Sequence, residues 1–339
     1  MSRKVHIKTA LSGCTTVLKG HILKRPKLLN VTLTTNTRCN FKCNYCKIWK
    51  REENELSTSQ IEDLIDQLSF MGTQRLGLTG GEPLLREDIG HLIDYAKSRG
   101  IFVSLNTNGS LVEERIKELG NLDLITLSLD GEEDVHNLHK RDDAYGQVMR
   151  AIKAAKGAEL KVMTTTTLTR HNLNSVNFIL HKAQEMGFRA AFQLLHHPQS
   201  AAGDTTSLLP SSEGYRKTIK ELISLKGKYP KVIINSKRYF EILFKWLDYR
   251  QVVLETSPFK VRCWAGRFYC HIDVNGDVYP CHQLLKSIEV SNILSVPLGE
   301  AMKKLPPTPC VTCLAGDYLE YNLLFSLNLN ALKNLLYAL

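Results

Sequence analysis

The chain has 339 residues, of which 43% are hydrophobic and 23% are charged, proportions that are typical of a globular protein. It contains no uninterrupted apolar stretch of about 18 residues and no apolar signal-peptide core, which argues against a spanning helix and an export signal. The net charge of +10 is uneven, because residues 1–51 hold twelve Lys and Arg and no Asp or Glu, whereas the other residues hold 32 basic and 34 acidic side chains. We therefore expect a cytoplasmic protein with a basic N-terminal arm, residues 1–27, which is either a solvated extension or a contact for an anionic partner.

From residue 28 the chain alternates short strand-like runs with amphipathic helical runs. The six predicted strands span residues 28–35, 75–79, 101–106, 124–129, 161–168 and 189–195. The predicted helices span residues 57–72, 88–99 and 146–156, with further helices that end near residues 120 and 187. Ser57 to Gln60 form a capping box at the start of the first of them. Six strand–helix repeats predict an α/β fold, a partial (β/α)6 TIM-like barrel with a parallel sheet. Right-handed crossovers then place the loop after each strand on one face of the sheet.

The alternation stops after the sixth strand. Residues 197–215 are loop-like, two amphipathic helices are predicted up to about residue 255, and five cysteines fall between residues 263 and 313. We predict a domain boundary near residue 235, which separates the barrel, residues 28–235, from a small C-terminal module, residues 236–339.

Three cysteines lie directly after the first strand, because TRCNFKCNYC contains Cys39, Cys43 and Cys46 in the spacing C-x3-C-x2-C. A structural zinc site and an iron–sulfur cluster both usually take four protein ligands, so three clustered thiolates leave one metal position open. Nine cysteines, an odd number, in a chain without an export signal favour thiolates kept for metal over a disulfide framework. A zinc knuckle that lacks its fourth ligand is the alternative.

The stretch CNFKCNYC, followed after the second strand by GGEP, resembles the radical S-adenosylmethionine (radical SAM) superfamily over roughly residues 28–195. The resemblance implies a 4Fe–4S cluster held by Cys39, Cys43 and Cys46, with SAM bound through its amino and carboxylate groups to the fourth iron. It also implies reductive cleavage of SAM to a 5′-deoxyadenosyl radical, which abstracts hydrogen from a carbon of an organic substrate. A low-potential electron donor such as flavodoxin or ferredoxin is the expected partner.

The resemblance further implies a set of SAM contacts, and the sequence identifies no separate catalytic residue. The predicted contacts are Tyr45, Gly80, Gly81, Glu82, Pro83, Asn106, Ser128, Asp130 and Arg141. Tyr45 matches an aromatic position that lies against adenine, and the GGEP segment matches one that receives the SAM amino group through backbone oxygens. Arg141 either matches a carboxylate bidentately or is a solvated surface charge.

One pair of asparagines and one pair of histidines, each near the end of a predicted strand, have two possible interpretations. Asn106 and Asn108 are either SAM contacts or the turn residues of their loop. His196 and His197, at the end of the sixth strand, are either a proton shuttle or an ordinary loop pair.

The C-terminal stretch CWAGRFYCHIDVNGDVYPC and the later C-x2-C pair resemble the start of the auxiliary-cluster module, SPASM or its shorter twitch form, of many radical SAM enzymes. This resemblance implies a second 4Fe–4S cluster, with the ligands Cys263, Cys281, Cys310 and Cys313. GDYLEYN follows where the longer module carries further cysteines, so we predict a twitch-like module with one auxiliary cluster. A fully ligated cluster accepts or relays an electron, which favours net oxidation or bond formation. A structural zinc ribbon is the alternative.

Two further features of the C-terminal region have alternative interpretations. Cys270 is either a small core residue or a substitute ligand. In the tail YNLLFSLNLNALKNLLYAL, polar residues recur at near-helical spacing: Asn322, Ser326, Asn330, Lys333 and Asn334. We predict a C-terminal helix that packs across the barrel opening or, together with the basic arm, forms a peripheral membrane or lipid-handling surface.

The predicted function is that of a radical SAM oxidoreductase or transferase that acts on an organic substrate of unspecified class. A ribosomal-peptide maturase is one alternative, although the short N-terminus leaves no room for a leader-binding domain. A molybdopterin-type cofactor-biosynthesis enzyme is disfavoured, because the chain ends in YAL without a terminal Gly-Gly. A zinc-binding, nucleic-acid-associated protein is the alternative from another class. We expect no nucleic acid, since no aromatic-interleaved basic sheet or recognition helix is visible.

Overall fold

The structure is a computed structural model that describes residues 27–196, 205–256, 258–259 and 261–338. The predicted basic arm, apart from Lys27, and His197 lie outside the described residues. In the part of the chain that is described, no helix combines the length and the apolar character needed to cross a bilayer.

A single eight-stranded sheet forms the centre of the fold, in the order β6-β5-β4-β3-β2-β1-β8-β9, and β7 and β10 form a separate two-stranded ladder. The strands are β1 (Asn30–Thr34), β2 (Arg75–Thr79), β3 (Phe102–Thr107), β4 (Leu124–Ser128), β5 (Val162–Leu168), β6 (Arg189–Leu194), β7 (Val253–Leu254), β8 (Tyr269–Ile272), β9 (Val278–Tyr279) and β10 (Thr312–Cys313). The first six strands are parallel neighbours in chain order, and each overlaps its predicted range. The predicted partial (β/α)6 barrel is therefore confirmed.

Helices connect the strands and pack their apolar residues into one core with the sheet. They are α1 (Thr58–Phe70), α2 (Ile89–Ser98), α3 (Val112–Arg115), α4 (Glu133–His139), α5 (Ala144–Gly157), α6 (Val176–Met186), α7 (Ser212–Lys228), α8 (Lys237–Phe244), α9 (Leu298–Lys303), α10 (Gly316–Phe325) and α11 (Leu329–Ala338). A capping box at Ser57 begins α1, since the Ser57 hydroxyl accepts from the backbone of Gln60 and the Gln60 side chain accepts in return. This arrangement agrees with the motif in the sequence.

The C-terminal region contributes two strands to the barrel sheet. β8 pairs in parallel with β1, with Asn30 opposite Tyr269, on the side of β1 that faces away from β2. The chain then turns at Gly276, whose φ of +92° lies in the left-handed region that favours glycine, and returns as the antiparallel strand β9. The β8–β9 hairpin thus lies directly beside the strand that leads into the cysteine loop. The domain boundary near residue 235 stays a prediction.

The C-terminal tail forms two helices, so the predicted single helix with one polar stripe is wrong. α10 ends at Phe325, and Leu327 takes a φ of +57° before α11 begins. The polar residues of the supposed stripe have separate partners. Oδ1 of the buried Asn322 accepts from the backbone N–H of Trp264 at 2.8 Å, whereas Oδ1 of Asn334 accepts from Nζ of Lys226 at 2.5 Å. The turn at Leu327 breaks the helical spacing on which the stripe depended.

An ion pair joins the segment after the cysteine loop to the end of β8. Nη2 of Arg51 lies 2.5 Å from Oδ2 of Asp273, whose side chain is fully buried, and 3.1 Å from Oε1 of Glu53. Burial alone would raise the pKa of Asp273, but the hydrogen bond and charge of Arg51 outweigh it and hold the pKa below its ordinary value. Asp273 is therefore ionised in the folded protein near neutral pH.

Replacing Arg51 with Met should lower the free energy of unfolding by about 3 kcal/mol, because the buried carboxylate of Asp273 keeps its desolvation cost and loses its main partner. Lys286, whose Nζ lies 3.9 Å from Asp273, remains and limits the loss. Since the pKa of Asp273 is depressed by folding, the difference should be complete above about pH 4 and shrink as the pH falls through the folded-state pKa. Urea unfolding of the metal-loaded protein at several pH values measures it.

Arg150→Met is the matched control for this stability prediction. Arg150 forms surface ion pairs with Asp143 and Glu113, and such pairs contribute less than about 1 kcal/mol. Equal unfolding free energies for the two variants would contradict the assigned importance of the Arg51 pair.

Candidate active site

The loop after β1 places three thiols near the carboxyl edge of the sheet. Cys39, Cys43 and Cys46 are free and half-buried, and a backbone hydrogen bond of 3.1 Å joins Cys46 to Cys43. Burial raises the pKa of all three thiols, that of Cys39 to about 11, and the charges of the neighbouring thiols add to the effect at Cys39 and Cys43. Cys43 and Cys46 also pack against the same small apolar cluster, which contains Tyr45. A cationic metal centre would favour their thiolate forms.

Asparagine and histidine side chains bond this cysteine loop to α4. The backbone N–H of Asn44 donates to the carbonyl of His139 at 3.1 Å, and Oδ1 of Asn44 lies 3.1 Å from Nδ1 of His139. The opposite ring nitrogen of His139 lies 2.9 Å from the hydroxyl of Thr169, which follows β5. These bonds fix the position of the loop against two other strand ends. Nothing in the sequence singles out His139 or Thr169, because their partners are distant in the chain.

A buried ion pair lies beneath the same loop. Nζ of Lys140 is 3.2 Å from Oδ2 of Asp130, and their side chains are only 4% and 1% exposed. The Tyr45 hydroxyl donates to the same carboxylate at 2.7 Å, and Lys140 both hydrogen-bonds this hydroxyl and lies 4.6 Å from the centre of the Tyr45 ring. Burial alone would raise the pKa of Asp130 and lower that of Lys140, but the pair's attraction outweighs burial and reverses both shifts. Both residues are therefore charged.

Lys140 also acts on the cysteines, and the sequence analysis missed it. Its charge lowers the pKa of Cys43 and Cys46, although burial has the larger, opposite effect on both thiols. In the sequence Lys140 belongs to HKRDD, a charge run that is typical of a solvated surface. No local signal distinguishes it from its charged neighbours, because its burial depends on Tyr45 and Asp130.

The GGEP segment packs directly against the start of the cysteine loop. Backbone N–H groups of Gly81 and Glu82 donate to the carbonyls of Asn36 and Arg38 at 2.9 and 2.8 Å. A Cβ atom on Gly81 would lie 2.1 Å from the carbonyl oxygen of Arg38, so only glycine permits this approach. The side-chain amide of Asn36 donates to the carbonyl of Glu82 at 2.9 Å. The loops after β1 and β2 therefore form one hydrogen-bonded unit.

The side chain of Glu82 holds the loop after β3. Its fully buried carboxylate accepts from the hydroxyl of Thr107 at 2.7 Å, and from the backbone N–H groups of Asn108 at 2.8 Å and Leu84 at 3.1 Å. Burial raises the pKa of Glu82 to about 6, and these three hydrogen bonds oppose the shift. Asn108 in turn donates from its side chain to Oδ1 of Asn40 in the cysteine loop at 2.9 Å. Three consecutive strand-end loops are thus connected.

The remaining predicted SAM contacts are spread around this unit. Ser128 is half-buried at the end of β4, whereas Asn106 in β3 is exposed. Exposed Arg141 lies beside the cysteine loop, with Nη1 3.4 Å from the carbonyl of Asn40 and its guanidinium 5.1 Å from the ring of Phe41. The roles assigned to these residues in SAM binding stay predictions.

A second group of thiols lies in the C-terminal region. Cys263 is half-buried, and Cys281, Cys310 and Cys313 are buried. Burial is the main cause that raises the pKa of Cys313 well above its ordinary value, and the charges of Cys263, Cys281 and Cys310 add to this shift, whereas a backbone hydrogen bond with Ala315 opposes it. The pKa of Cys281 rises to about 12 and that of Cys310 to about 11, again mainly through burial. Cys281 and Cys313 pack in one apolar cluster with Tyr269, and Sγ of Cys263 lies 3.7 Å from the hydroxyl of Tyr269. The role of the four thiols as ligands of one metal centre stays a prediction.

Cys270 is separate from this second group. It is 1% exposed in β8 and belongs to the main apolar core, whereas Cys281 and Cys313 belong to a second cluster with Trp264. Burial alone raises the pKa of Cys270, with no contribution from another thiol. The structure thus places it as a small core residue.

The environment of the second group is aromatic. The rings of Tyr269 and Tyr318 stack with centroids 5.2 Å apart, and His282, directly after Cys281, stacks on Tyr318 at 5.1 Å. His196 at the end of β6 lies 5.9 Å from the ring of His282, so one of the two predicted barrel-mouth histidines reaches this region. Among the described residues, no three His, Cys, Asp or Glu side chains converge on the position of a single metal ion.

Comparisons with known proteins agree on one family. Residues 33–183 match the model of the radical SAM superfamily. The chain is 25% identical over 283 residues to an AdoMet-dependent heme synthase from Nitratidesulfovibrio vulgaris, which covers 78% of this chain and 76% of that protein. It is 28% identical over 270 residues to the mycofactocin maturase MftC from Mycobacterium ulcerans, which covers 77% of this chain and 69% of that protein.

The fold is also similar to that of a solved enzyme structure. Streptococcus suis SuiB bound to S-adenosylmethionine superposes with a TM-score of 0.65 at 17% identity, over 84% of this chain and 67% of SuiB. The family match includes the cysteine loop, the GGEP segment and the Asp130–Lys140 pair. Residues 33–183 therefore form a domain of the radical SAM superfamily, whose enzymes bind a 4Fe–4S cluster and S-adenosylmethionine.

Proposed function

We propose that the protein cleaves SAM reductively to a 5′-deoxyadenosyl radical, which abstracts hydrogen from a carbon of an organic substrate. The grouping of Cys39, Cys43 and Cys46 beside the GGEP segment carries this proposal. Three thiolates leave one iron of a 4Fe–4S cluster for the amino and carboxylate groups of SAM. The cluster supplies the electron, and the protein supplies position, electrostatics and exclusion of water.

The residues of the chain hold this site in a fixed geometry. Glu82 joins the loops after β2 and β3, and Gly81 allows the second loop to approach the cysteine loop closely. Tyr45 is anchored through its hydroxyl to Asp130, so the last two cysteines are held by a buried side chain that lies between them in sequence. Preorganised loops of this kind limit movement of the reacting groups during the reaction.

We further propose that Cys263, Cys281, Cys310 and Cys313 hold an auxiliary 4Fe–4S cluster. The packing of Cys281 and Cys313 in one cluster with Tyr269, and the contact of 3.7 Å between Sγ of Cys263 and the hydroxyl of Tyr269, support this assignment. Cys270 belongs to the main core instead. Four thiolates occupy all four irons, so this cluster would serve electron transfer and not substrate ligation. An electron acceptor beside the barrel favours net oxidation or bond formation after hydrogen abstraction.

A peptide maturase is the second candidate function, and the similarity to mycofactocin maturase MftC favours it. The similarity to a heme synthase points to a different substrate class. Substrate-dependent formation of 5′-deoxyadenosine, with transfer of deuterium from a labelled peptide or a labelled tetrapyrrole, separates these two classes.

Anaerobically reconstituted protein should contain about eight irons, because two clusters of four are proposed. Replacing Cys39, Cys43 and Cys46 together with Ala should leave about four irons and abolish SAM cleavage. Replacing Cys310 and Cys313 should also leave about four irons, but cleavage to 5′-deoxyadenosine should continue. Iron and sulfide analysis with product chromatography measures both effects.

Cys270→Ala is the matched control for these cysteine variants and should retain about eight irons, since Cys270 is a core residue. If the triple substitution left the iron content unchanged, the assignment of the first cluster to Cys39, Cys43 and Cys46 would be wrong. Zinc in place of iron in the reconstituted protein would instead support the two alternatives, a zinc knuckle in the cysteine loop and a zinc ribbon in the C-terminal region.

Arg141→Ala should weaken SAM binding by about 2 kcal/mol, because one bidentate charged contact to the methionine carboxylate is lost. Both clusters should still assemble, since Arg141 is exposed and contacts the cysteine loop only at its surface. Equilibrium binding of SAM to the reconstituted protein measures the change, with Arg150→Ala as the control. An unchanged affinity for SAM would return Arg141 to the class of solvated surface charges.

Lys140→Met should make the reduction potential of the first cluster more negative, because a buried positive charge near Cys43 and Cys46 favours the added electron. Lys140→Arg should restore the potential, and Lys156→Met on α5 should leave it unchanged. A redox titration followed by electron paramagnetic resonance measures these values independently of turnover. Wild-type potential in a Lys140→Met protein with full iron content would rule out this electrostatic role.

A further inference from the structure

The outer surface of the cysteine loop carries an unpaired cationic patch. We define the Trp49 patch as Trp49 with Lys42, Lys47 and Lys50. Lys42 and Lys50 are exposed, and their Nζ atoms lie 5.3 and 5.2 Å from the centre of the Trp49 ring. Within the described ranges, none of the three lysines of the patch lies within ion-pair distance of a carboxylate. The patch therefore presents uncompensated positive charge around an aromatic ring.

Other cations, in contrast to the lysines of the Trp49 patch, form ion pairs with carboxylates. Arg38 pairs with Glu55 at 2.9 Å, and Arg51 pairs with Asp273 and Glu53. Lys286 also pairs with Glu53, at 3.2 Å. The charges of Arg38 and Arg51 are thus compensated, whereas those of the lysines in the Trp49 patch are not compensated by any described carboxylate. A protein surface of this kind attracts a partner with complementary negative charge.

The patch is also connected to a proposed cluster ligand. Nε1 of Trp49 donates to the backbone carbonyl of Cys46 at 3.1 Å. The inner side of the loop is covered by the buried Asp130–Lys140 pair. The Trp49 patch therefore contains solvent-exposed lysines and is hydrogen-bonded directly to the backbone of Cys46.

We propose that the Trp49 patch is the docking surface for a small acidic redox protein that delivers the electron for SAM cleavage. This inference rests on the proposed function. In the delivery step, the reduced carrier of the partner loses one electron and the cluster gains it, with no proton transferred and no bond made or broken. Carboxylates around the carrier of the partner match the lysines, and the indole of Trp49 provides an aromatic contact at the centre of the patch.

Charge reversal at the two lysines that flank Trp49 tests this proposal. Lys42→Glu/Lys50→Glu should lower the second-order rate constant for reduction by flavodoxin, an acidic flavin protein, by at least about tenfold at low ionic strength. The difference should shrink as salt is added, because the Debye length falls to about 8 Å at physiological ionic strength. Stopped-flow absorbance of the reconstituted protein measures the rate, and iron content is checked in each variant.

The matched control is Lys228→Glu/Lys231→Glu, which makes the same change in net charge. Lys228 also lies over an aromatic ring, 5.1 Å from the centre of Tyr229. The carbonyl of Lys231 accepts from Arg189 at the start of β6, so this pair lies at the opposite end of the strands from the cysteine loop. This control should be reduced by flavodoxin at nearly the wild-type rate.

Photoreduced 5-deazariboflavin, a small neutral reductant, separates failure of this proposal from failure of the proposed function. With it, the wild type and Lys42→Glu/Lys50→Glu should form 5′-deoxyadenosine at equal rates. Lys50 lies outside the segment from Cys39 to Cys46, so Lys50→Glu alone provides a test if the double variant assembles its cluster poorly. This single variant should slow reduction by flavodoxin severalfold.

Three results would overturn the proposal or its basis. Equal rates of reduction by flavodoxin in wild type and Lys42→Glu/Lys50→Glu would exclude docking at the patch. Loss of binding to phosphatidylglycerol vesicles with unchanged reduction by flavodoxin would assign the patch to a lipid surface instead. Absence of 5′-deoxyadenosine with 5-deazariboflavin in the wild type would overturn the proposed function itself.

Discussion

The active-site face depends on one buried ion pair, between Asp130 at the end of β4 and Lys140 after α4. Separating two charges from water is costly, so the pair persists only because each member has further partners. Asp130 accepts hydrogen bonds from the Tyr45 hydroxyl and from the backbone N–H of Thr167, and Asn172 donates to its carbonyl. The pair thereby connects the cysteine loop to the ends of β4 and β5. Removing one partner would leave an uncompensated charge in the middle of this junction.

The parallel sheet determines which loops meet at that junction. Because all six barrel strands run in the same direction, their carboxyl ends share one edge, and the polar segments that follow β1, β2 and β3 come into contact there. β1 has a second role, since β8 pairs with its free side and brings the C-terminal hairpin against the barrel. Asn322 of α10 then fixes the start of this region through Trp264 and Tyr269. The strand that leads into the cysteine loop is therefore paired directly with a strand of the C-terminal region.

The cysteine loop has lysines on both of its sides, and they differ in burial and in pairing. Lys140 is buried beneath the loop and paired with Asp130, so it acts at short range in a region of low dielectric constant. Lys42 and Lys50 lie on the outer surface, where water and salt screen their charge and where they act on approaching molecules. The same residue type is thus buried and ion-paired in one place and exposed to solvent in the other.

The sequence alone was enough to predict the six barrel strands and the capping box at Ser57, because each of these depends on short spacing along the chain. The GGEP segment was also visible, since the close approach at Gly81 requires a glycine. The burial of Lys140 was not predictable, because Tyr45 lies 95 residues away in the chain.

The same limit applies to the C-terminal region. Only the pairing of β8 with β1 shows that the hairpin extends the barrel sheet, and only packing separates the core residue Cys270 from the neighbouring thiols. The tail was predicted as one helix from its periodicity, yet the turn at Leu327 divides it, and Asn322 and Asn334 bond to separate parts of the fold. Residue spacing determines local structure and the identity of candidate ligands, whereas the burial of charges and the pairing of distant strands are decided by which elements the folded chain brings together.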